Sequence, residues 1–397
     1  VESAPQREAA APRWGDRLQM TPSQQESILK PAGWMHYRYP FIYGQPDTRQ
    51  FPLATWRSAA NWLHGGVRDP AWVIDHIDQD VPMLIEQIRT RVLPKRGIVA
   101  APDEILITLG SQNALYLLTR LLLSSTTRIG VENPCFREAI NTFLLADAEV
   151  VPHPVDEEGI VLNERPCDYY YVTPGHQVPT GVAMSSARRR QLLDHAARHD
   201  AVIIEDDYDS ESNFTLNPLP ALKASDRSGR VVYVSSLSKA LSPGLRLGFM
   251  VADPDLIDEA RALRRLVYRH PPTNIQYQMA HFLAQGHYET HLRRYHYDSA
   301  QRWERLHAAL QRYLPSCRAL AGSEHANAFW LQTPAQINTQ QLTWRAAHAG
   351  VLIEPGARHF LNAAPPDNYF RMGFHAINPD AIAQGVEVLR GQLEQMG

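Results

Sequence analysis

Between residues 101 and 252 the sequence alternates short apolar runs with longer segments of helical periodicity. Seven of the runs have the length and composition of strands, and they cover residues 104–109, 128–132, 148–155, 169–174, 201–207, 231–236 and 245–252. Segments with helically spaced leucines, such as the one after residue 110, separate most of them. This order predicts an α/β fold with a mainly parallel, seven-stranded sheet that helices cover on both faces.

The remainder of the chain has a different pattern and predicts a second, smaller α+β domain. Beyond about residue 275 there are long helices over 276–313, strand-like runs at 325–332 and 368–375, and a closing helix from about 379. The resulting division is a disordered leader over 1–20, an N-terminal arm over 21–60, a large domain over 61–280 and a small domain over 281–397.

Charge and cysteine content narrow the class of function. The formal net charge is -3, so the chain has no basic excess of the kind that binds nucleic acid or a membrane surface. No apolar run reaches the ~18 residues of a membrane span. Three cysteines, at positions 135, 167 and 317, have spacings that fit neither a disulfide framework nor a metal cluster. We expect a cytoplasmic protein whose partner is a small molecule.

Polar residues follow the carboxyl ends of the predicted strands, where ligands bind in open parallel sheets. Five such ends supply Gly110-Ser111-Gln112, residues 133–136, residues 173–177, residues 205–208 and residues 235–239. We expect these side chains to converge on one crevice.

Lys239 is notable because only four of the 39 basic residues in the chain are lysines. A lysine amine can lose its proton and form a Schiff base with a carbonyl, whereas a guanidinium cannot. The serine-rich stretch alone leaves open the alternative of a solvated surface lysine.

Two further features indicate what Lys239 would react with. Gly110-Ser111-Gln112 opens a helix directly after a strand, which makes either a phosphate cradle or a plain N-cap. Ser236 and Arg246 lie close to Lys239 in sequence and can add donors to the same phosphate.

Asp206 and Asp207 end a very apolar strand, where a carboxylate needs a cationic partner such as a protonated pyridine nitrogen. The alternative for this pair is a helix cap or a loop contact. A phosphate cradle, a Schiff-base lysine and a carboxylate for a pyridine nitrogen together describe pyridoxal 5'-phosphate.

In this order the motifs resemble fold-type I pyridoxal-phosphate enzymes of the class I/II aminotransferases, most nearly the aminotransferase-like domain of MocR-type proteins. The matching text is Y-G-Q-P-D-x-x-x-F-P (43–52), L-G-S-Q-N-A-L (109–115), E-N-P-C-F (132–136), T-P-G-H-Q-V-P-T-G (173–181), E-D-D-Y-D-S-E (205–211), S-L-S-K-x-L-S-P-G-L-R-L-G (236–248) and F-R-M-G-F (370–374). The resemblance implies that fold, that cofactor and a homodimer with the site at the interface. MocR-type regulators also carry an N-terminal DNA-binding domain. About 35 residues precede the match here, so we expect none.

Matched position by position, the resemblance implies a role for each site residue. Lys239 carries the Schiff base and moves protons, Asp206 binds the pyridine nitrogen, and Tyr208 reaches the 3'-oxygen of the ring. Phe136 stacks on the ring, and Arg371 clamps the α-carboxylate of an amino acid. The phosphate is held by Ser111, Gln112, Ser236 and Arg246.

The chain departs from the family pattern at two places near the expected site. Val178 stands where many relatives have an asparagine that donates to the 3'-oxygen, and His176 or Gln177 is the expected replacement. Asp75 and Asp80 stand near a tyrosine and a glycine of relatives, in a segment whose tyrosine reaches the phosphate of the partner subunit; His76 is a candidate replacement for that tyrosine.

These features predict an aminotransferase that moves the amino group of an amino acid to a 2-oxo acid. The altered segment at 75–80, together with Tyr268, His270 and His375, keeps another pyridoxal-phosphate-dependent biosynthetic reaction open: elimination or replacement, decarboxylation, or carbon–carbon bond formation. A non-catalytic domain that senses an effector is the third hypothesis.

Overall fold

A computed structural model describes residues 13–28, 30–66, 71–75, 78–163, 165–214, 218–319 and 326–396. Of the predicted leader, residues 1–12 lie outside these ranges, and Trp14–Arg17 form a short 3₁₀ turn. His76, the candidate replacement for the tyrosine of relatives, also lies outside them.

The main structural element is a mixed sheet with strand order β2-β9-β8-β7-β6-β3-β4-β5. Its strands are β2 (Ile105–Thr108), β3 (Arg128–Asn133), β4 (Glu149–Asp156), β5 (Gly159–Ile160), β6 (Tyr169–Val172), β7 (Val202–Asp207), β8 (Val231–Ser236) and β9 (Gly248–Val251). The pairs from β4 through β3, β6 and β7 to β8 are parallel, whereas β9 runs antiparallel to both β8 and β2. The seven predicted strands are therefore present, and the two-residue β5 adds a hairpin edge that is too short for a periodicity signal.

Helices occupy both faces of this sheet and the remainder of the chain. They are α1 (Leu53–Gly66), α2 (Pro82–Gln87), α3 (Ser111–Leu122), α4 (Arg137–Leu144), α5 (Ser186–Arg198), α6 (Leu222–Ser225), α7 (Pro254–Tyr268), α8 (Thr273–Ala284), α9 (His287–Tyr313), α10 (Thr339–His348) and α11 (Ile382–Glu394). None of the helices in the described ranges is long and apolar enough to cross a membrane.

The two-faced burial of the sheet follows from the alternation of side chains along each strand. In β2, Ile105 and Ile107 belong to the apolar cluster that includes α2 and α8, whereas Leu106 belongs to the cluster of α3, α4 and α7. Every residue of β2 is buried, which is why its sequence is continuously apolar rather than alternating.

A second sheet and the N-terminal arm form the smaller unit. The second sheet contains β10 (Arg318–Ala319), β11 (Ala328–Gln332), β13 (Glu354–Pro355) and β14 (Tyr369–Gly373), in the order β10-β11-β14-β13. The arm joins this unit because β1 (Tyr39–Pro40) pairs in parallel with β12 (Val351–Leu352). Its apolar core comes mainly from α9, α10, α11, β11 and β14. We propose that the boundary between the two domains lies near residue 280, close to the junction where α8 ends at Ala284 and α9 begins at His287.

Candidate active site

A cavity of about 380 Å³ opens between the carboxyl ends of β7 and β8, the start of α3 and the second sheet. Nine of the ten residues predicted for the site line it: Ser111, Gln112, Phe136, Asp206, Tyr208, Ser236, Lys239, Arg246 and Arg371. Residues up to 260 positions apart in sequence thus meet in one space, as expected for strand ends of an open α/β sheet.

Lys239 lies at the inner wall of the cavity, between two tyrosine rings. Its Nζ donates a hydrogen bond to the Tyr43 hydroxyl at 2.5 Å and lies 3.9 Å from the centroid of the Tyr208 ring. Burial in the cavity wall lowers the pKa of the lysine amine to about 7, and the nearby Arg371 adds to the effect. A large fraction of this amine is therefore neutral, and nucleophilic, near neutral pH.

Asp206 faces the cavity and Asp207 does not, because successive side chains of β7 point to opposite sides of the sheet. One oxygen of Asp206, Oδ2, accepts a hydrogen bond from the Tyr171 hydroxyl at 2.9 Å, while the buried Oδ1 has no partner among the described residues. Asp207 instead forms a buried ion pair with Arg96, in which Nε and Oδ2 are 2.7 Å apart. Desolvation raises the pKa of Asp206 to about 7. An unpaired carboxylate oxygen in this position is suited to a cationic N–H donor.

The opposite end of the cavity is formed by the turn before α3 and by Arg246. Gly110 has a φ of +81°, and a Cβ at this position would lie only 2.9 Å from the Arg246 guanidinium. That guanidinium donates to the Leu109 carbonyl at 3.0 Å, which holds it over the first turn of α3. Helix N–H groups, two serine hydroxyls and an arginine are a suitable set of donors for a phosphate.

Arg371 lies in β14, on the side of the cavity formed by the second sheet. Its guanidinium carbon is 3.4 Å from the centroid of the Tyr43 ring, and its Nη1 is 3.4 Å from Glu354 Oε1. Glu354 also accepts a hydrogen bond from His359 Nε2 at 2.9 Å. The arm passes close to this strand because Gly373 has no side chain; a Cβ there would overlap the Ile42 carbonyl.

His176 is the one predicted site residue that the structure does not bring to the cavity lining. Its ring is buried, with Nδ1 3.4 Å from Asp209 Oδ2, and its backbone carbonyl accepts a hydrogen bond from the Tyr208 hydroxyl at 3.2 Å. Gln177, the other candidate, donates to the carbonyls of Pro134 and Val178 and accepts from Thr180. Both side chains hold the loop together, whereas Val178 itself lines the cavity.

The two aspartates of the altered segment lie apart from the cavity lining. Asp75 forms ion pairs with Arg269 and with His270 Nε2, the latter at 2.9 Å. Asp80 is buried and makes ion pairs at 2.6 Å with Arg264 and 3.0 Å with Arg261. These arginines neutralise Asp80, so it contributes to packing between the start of α2 and α7.

Comparison with known proteins gives concordant results. The model of the family "Aminotransferase class I and II" matches residues 78–388. The HTH-type transcriptional regulator TauR of Rhodobacter capsulatus is 38% identical over 354 residues, which are 88% of this chain and 72% of the regulator. A 2-aminoadipate transaminase from Thermus thermophilus is 31% identical over 314 residues, 75% of this chain and 78% of the enzyme.

The chain belongs to the class I and II aminotransferases.

Solved structures of this family share the fold described above. An α-aminoadipate aminotransferase from Thermus thermophilus, in complex with a phosphopyridoxyl amino acid, superimposes with a TM-score of 0.82, at 26% identity and with 96% of both chains covered. A kynurenine aminotransferase from Pyrococcus horikoshii gives 0.82 at 25% identity, covering 89% of this chain and 90% of that one. The fold is the fold-type I aminotransferase fold, and its cofactor is pyridoxal 5'-phosphate.

Several cavity residues of this aminotransferase were not singled out from sequence. Tyr43 was part of the matched text without a role, and Lys30, Glu138, Glu354 and His359 had no recognisable signal. For Tyr43 the usable signal was its place in Y-G-Q-P-D. The others come from the arm, from α4, from β13 and from the turn after β13, which only tertiary structure brings together.

Proposed function

We propose that this chain transfers an amino group from a small amine-bearing substrate to a 2-oxo acid, with Lys239 as the catalytic base and cofactor anchor. Lys239 supports this role because its Nζ is buried, has a pKa near 7 and lies against the Tyr43 hydroxyl, which can exchange a proton with it. Bound in this cavity, pyridoxal 5'-phosphate supplies the aldehyde that takes up the amino group and a ring that withdraws electrons from the substrate carbon.

The observation that carries the proposal is the unpartnered Oδ1 of Asp206 in the same cavity as Lys239. A buried carboxylate oxygen without a donor fits the protonated pyridine nitrogen, and Tyr171 orients the carboxylate from behind. Phe136, Val178 and Tyr208 line the cavity; the first two would enclose the ring, and Tyr208 would reach its 3'-oxygen. Ser111, Gln112, Ser236 and Arg246 are the proposed phosphate ligands.

The test is a single-turnover experiment with the cofactor-loaded protein. Mixing with an amine donor should convert the cofactor to its amine form, seen by absorbance, with an equivalent carbonyl product seen by mass spectrometry. Lys239→Ala should bind the cofactor without turnover. If a broad donor panel gives no conversion while the lysine linkage is intact, transamination is wrong for this chain.

A second candidate function is effector sensing without turnover. It is favoured by the relatives named as HTH-type transcriptional regulators, of which TauR is 38% identical to this chain. In that case an amine would bind and react with the cofactor once, and no 2-oxo acid would restore the aldehyde form. Repeated turnover with a donor and an acceptor distinguishes the two functions.

We also propose that the chain acts as a homodimer. Exposed apolar side chains support this, since Leu266 is 80% exposed, Val267 49% and Val73 64%. They lie beside the Asp75 ion pairs and near Tyr268, whose hydroxyl donates to Asn113 at the start of α3. A second copy on this surface would lie next to the proposed phosphate site.

The three unpaired cysteines support a cytoplasmic location.

A further inference from the structure

We propose that Glu354 competes with substrate carboxylates for Arg371, and that the preferred amino donors therefore carry no carboxylate on the carbon that bears the amino group. This inference rests on the proposed function and adds the substrate class and a specificity-determining residue. It comes from the contacts of Arg371, the residue that the family resemblance matches to an α-carboxylate clamp.

The position of Glu354 is fixed by the second sheet. Glu354 in β13 is the direct cross-strand neighbour of Arg371 in β14, so the two side chains leave the sheet side by side. Nη1 of Arg371 lies 3.4 Å from Oε1 of Glu354, and both residues line the cavity. A carboxylate of the protein thus already occupies one side of the guanidinium.

Glu354 is held in this position from the other side as well. His359 Nε2 is 2.9 Å from Glu354 Oε1, and His359 Nδ1 is 2.9 Å from the Cys135 carbonyl, which ties the ring to the loop before Phe136. Arg371 is 5% exposed, and its Nε, which has no partner among the described residues, is a donor left for a substrate carboxylate beside Glu354. Arg371 lowers the pKa of Glu354 to about 2, with a further contribution from His359, so the competing group is a carboxylate throughout the physiological range.

Charged side chains surround Arg371 on this side of the cavity. Lys30 and Arg371 carry positive charge, Glu138 and Glu354 carry negative charge, and His359 also lines the cavity, with oxygen acceptors at both of its ring nitrogens. The α-carboxylate of a donor would have to lie against the Glu354 carboxylate to reach Arg371, and this repulsion lowers the affinity for such a donor. An amine without that carboxylate meets no such repulsion, so the pair of Glu354 and Arg371 favours it.

The reaction with such a donor is balanced as an ordinary transamination. The C–N bond of a primary amine R-CH₂-NH₂ breaks, the carbon leaves as the aldehyde R-CHO with oxygen from water, and the nitrogen and two electrons remain on the cofactor. A 2-oxo acid then takes the nitrogen and electrons and becomes an amino acid. Its carboxylate has to displace Glu354 from Arg371, so this half-reaction also reports on the competition.

The experiment compares donors that differ only in the α-carboxylate: alanine with ethylamine, and phenylalanine with 2-phenylethylamine. The second-order rate constant of cofactor conversion by each donor is measured in single turnover on the cofactor-loaded wild type, on Glu354→Gln and on Glu157→Gln. Glu157 is exposed and lies outside the cavity, so its substitution controls for the loss of one negative charge. Glutamine keeps an acceptor for His359 and removes the charge. Propionate, which cannot react, is titrated calorimetrically as a readout independent of turnover.

The expected result is that wild type uses each amine about tenfold or more better than its amino acid. Glu354→Gln should remove most of that preference and bind propionate about tenfold more tightly, with Glu157→Gln unchanged. A wild-type preference for alanine and phenylalanine, or an unchanged propionate affinity in Glu354→Gln, would overturn the role of Glu354 and leave the proposed function standing. If no donor converts the cofactor, that result counts against the proposed function, and the propionate titration alone tests the role of Glu354. If Glu354→Gln does not fold, the comparison of amines with amino acids on the wild type tests that role.

Discussion

Asp206→Asn in the cofactor-free protein should increase stability, although Asp206 is the proposed partner of the cofactor. The carboxylate is 2% exposed, one of its oxygens has no partner, and desolvation raises its pKa from 3.8 to about 7. Because the pKa of this acid is higher in the folded than in the unfolded state, ionisation destabilises the fold progressively as pH rises from about 4 to 7. The full penalty is about 4 kcal/mol above pH 7, from roughly 1.4 kcal/mol per pK unit.

The pH dependence of the free energy of unfolding tests this prediction more specifically than its value at one pH. With these pKa values, the penalty from Asp206 grows by about 1.4 kcal/mol between pH 6 and pH 8. Asparagine keeps an acceptor for Tyr171 and carries no charge, so the stability of Asp206→Asn relative to wild type should rise by that amount. Glu205 does not depend on Asp206 and cancels in the difference, whereas Glu132 and Lys239 respond to the Asp206 charge and are part of the measured difference.

Urea unfolding of cofactor-free wild type, Asp206→Asn and Asp207→Asn at pH 6 and pH 8 measures this. Asp207→Asn is the matched control: it breaks the buried ion pair with Arg96 and should destabilise at both pH values. With cofactor bound, the advantage of Asp206→Asn should disappear because the ring nitrogen pairs with the wild-type carboxylate. A difference between Asp206→Asn and wild type that does not change with pH would refute the reasoning that Oδ1 is unpaired.

Three further changes have defined outcomes. Gly110→Ala should weaken cofactor binding about tenfold or more, since φ is +81° and the new Cβ meets the Arg246 guanidinium; an unchanged affinity by fluorescence titration would contradict the proposed phosphate site. Asp80→Asn should cost about 3–5 kcal/mol by thermal or urea unfolding, because it leaves the fully buried Arg264 unpaired; a loss below 1 kcal/mol would be inconsistent with the ion pairs. Leu266→Glu should yield monomers in light scattering; an unchanged oligomer would exclude that surface from the dimer interface.

The sheet could be predicted from sequence because its strands are buried on both faces and separated by helices with clear periodicity. Each strand end then indicated which polar residues face the crevice, and the alternation along β7 explains why Asp206 enters the cavity and Asp207 does not. The short edge strand β5 was missed because two residues carry no periodic pattern.

Contacts that depend on tertiary register could not be predicted in the same way. The pairing of Glu354 with Arg371 depends on the register between two strands of the second sheet. The burial of Asp80 depends on arginines about 180 positions later, in α7. The neighbours of His176 in sequence predict that it contacts the cofactor. Its ring instead contacts Asp209, and its carbonyl accepts a hydrogen bond from the Tyr208 hydroxyl, outside the cavity lining.

The central claim is that Lys239 holds the cofactor, and reductive trapping tests it directly. The chain has four lysines, and two of them, Lys30 and Lys239, line the cavity. Borohydride reduction of the cofactor-loaded protein, followed by proteolysis and mass spectrometry, should place the phosphopyridoxyl group on the peptide that contains Lys239, with Lys239→Arg unlabelled. Labelling of Lys30 in the wild type, or labelling that persists in Lys239→Arg, would contradict the account.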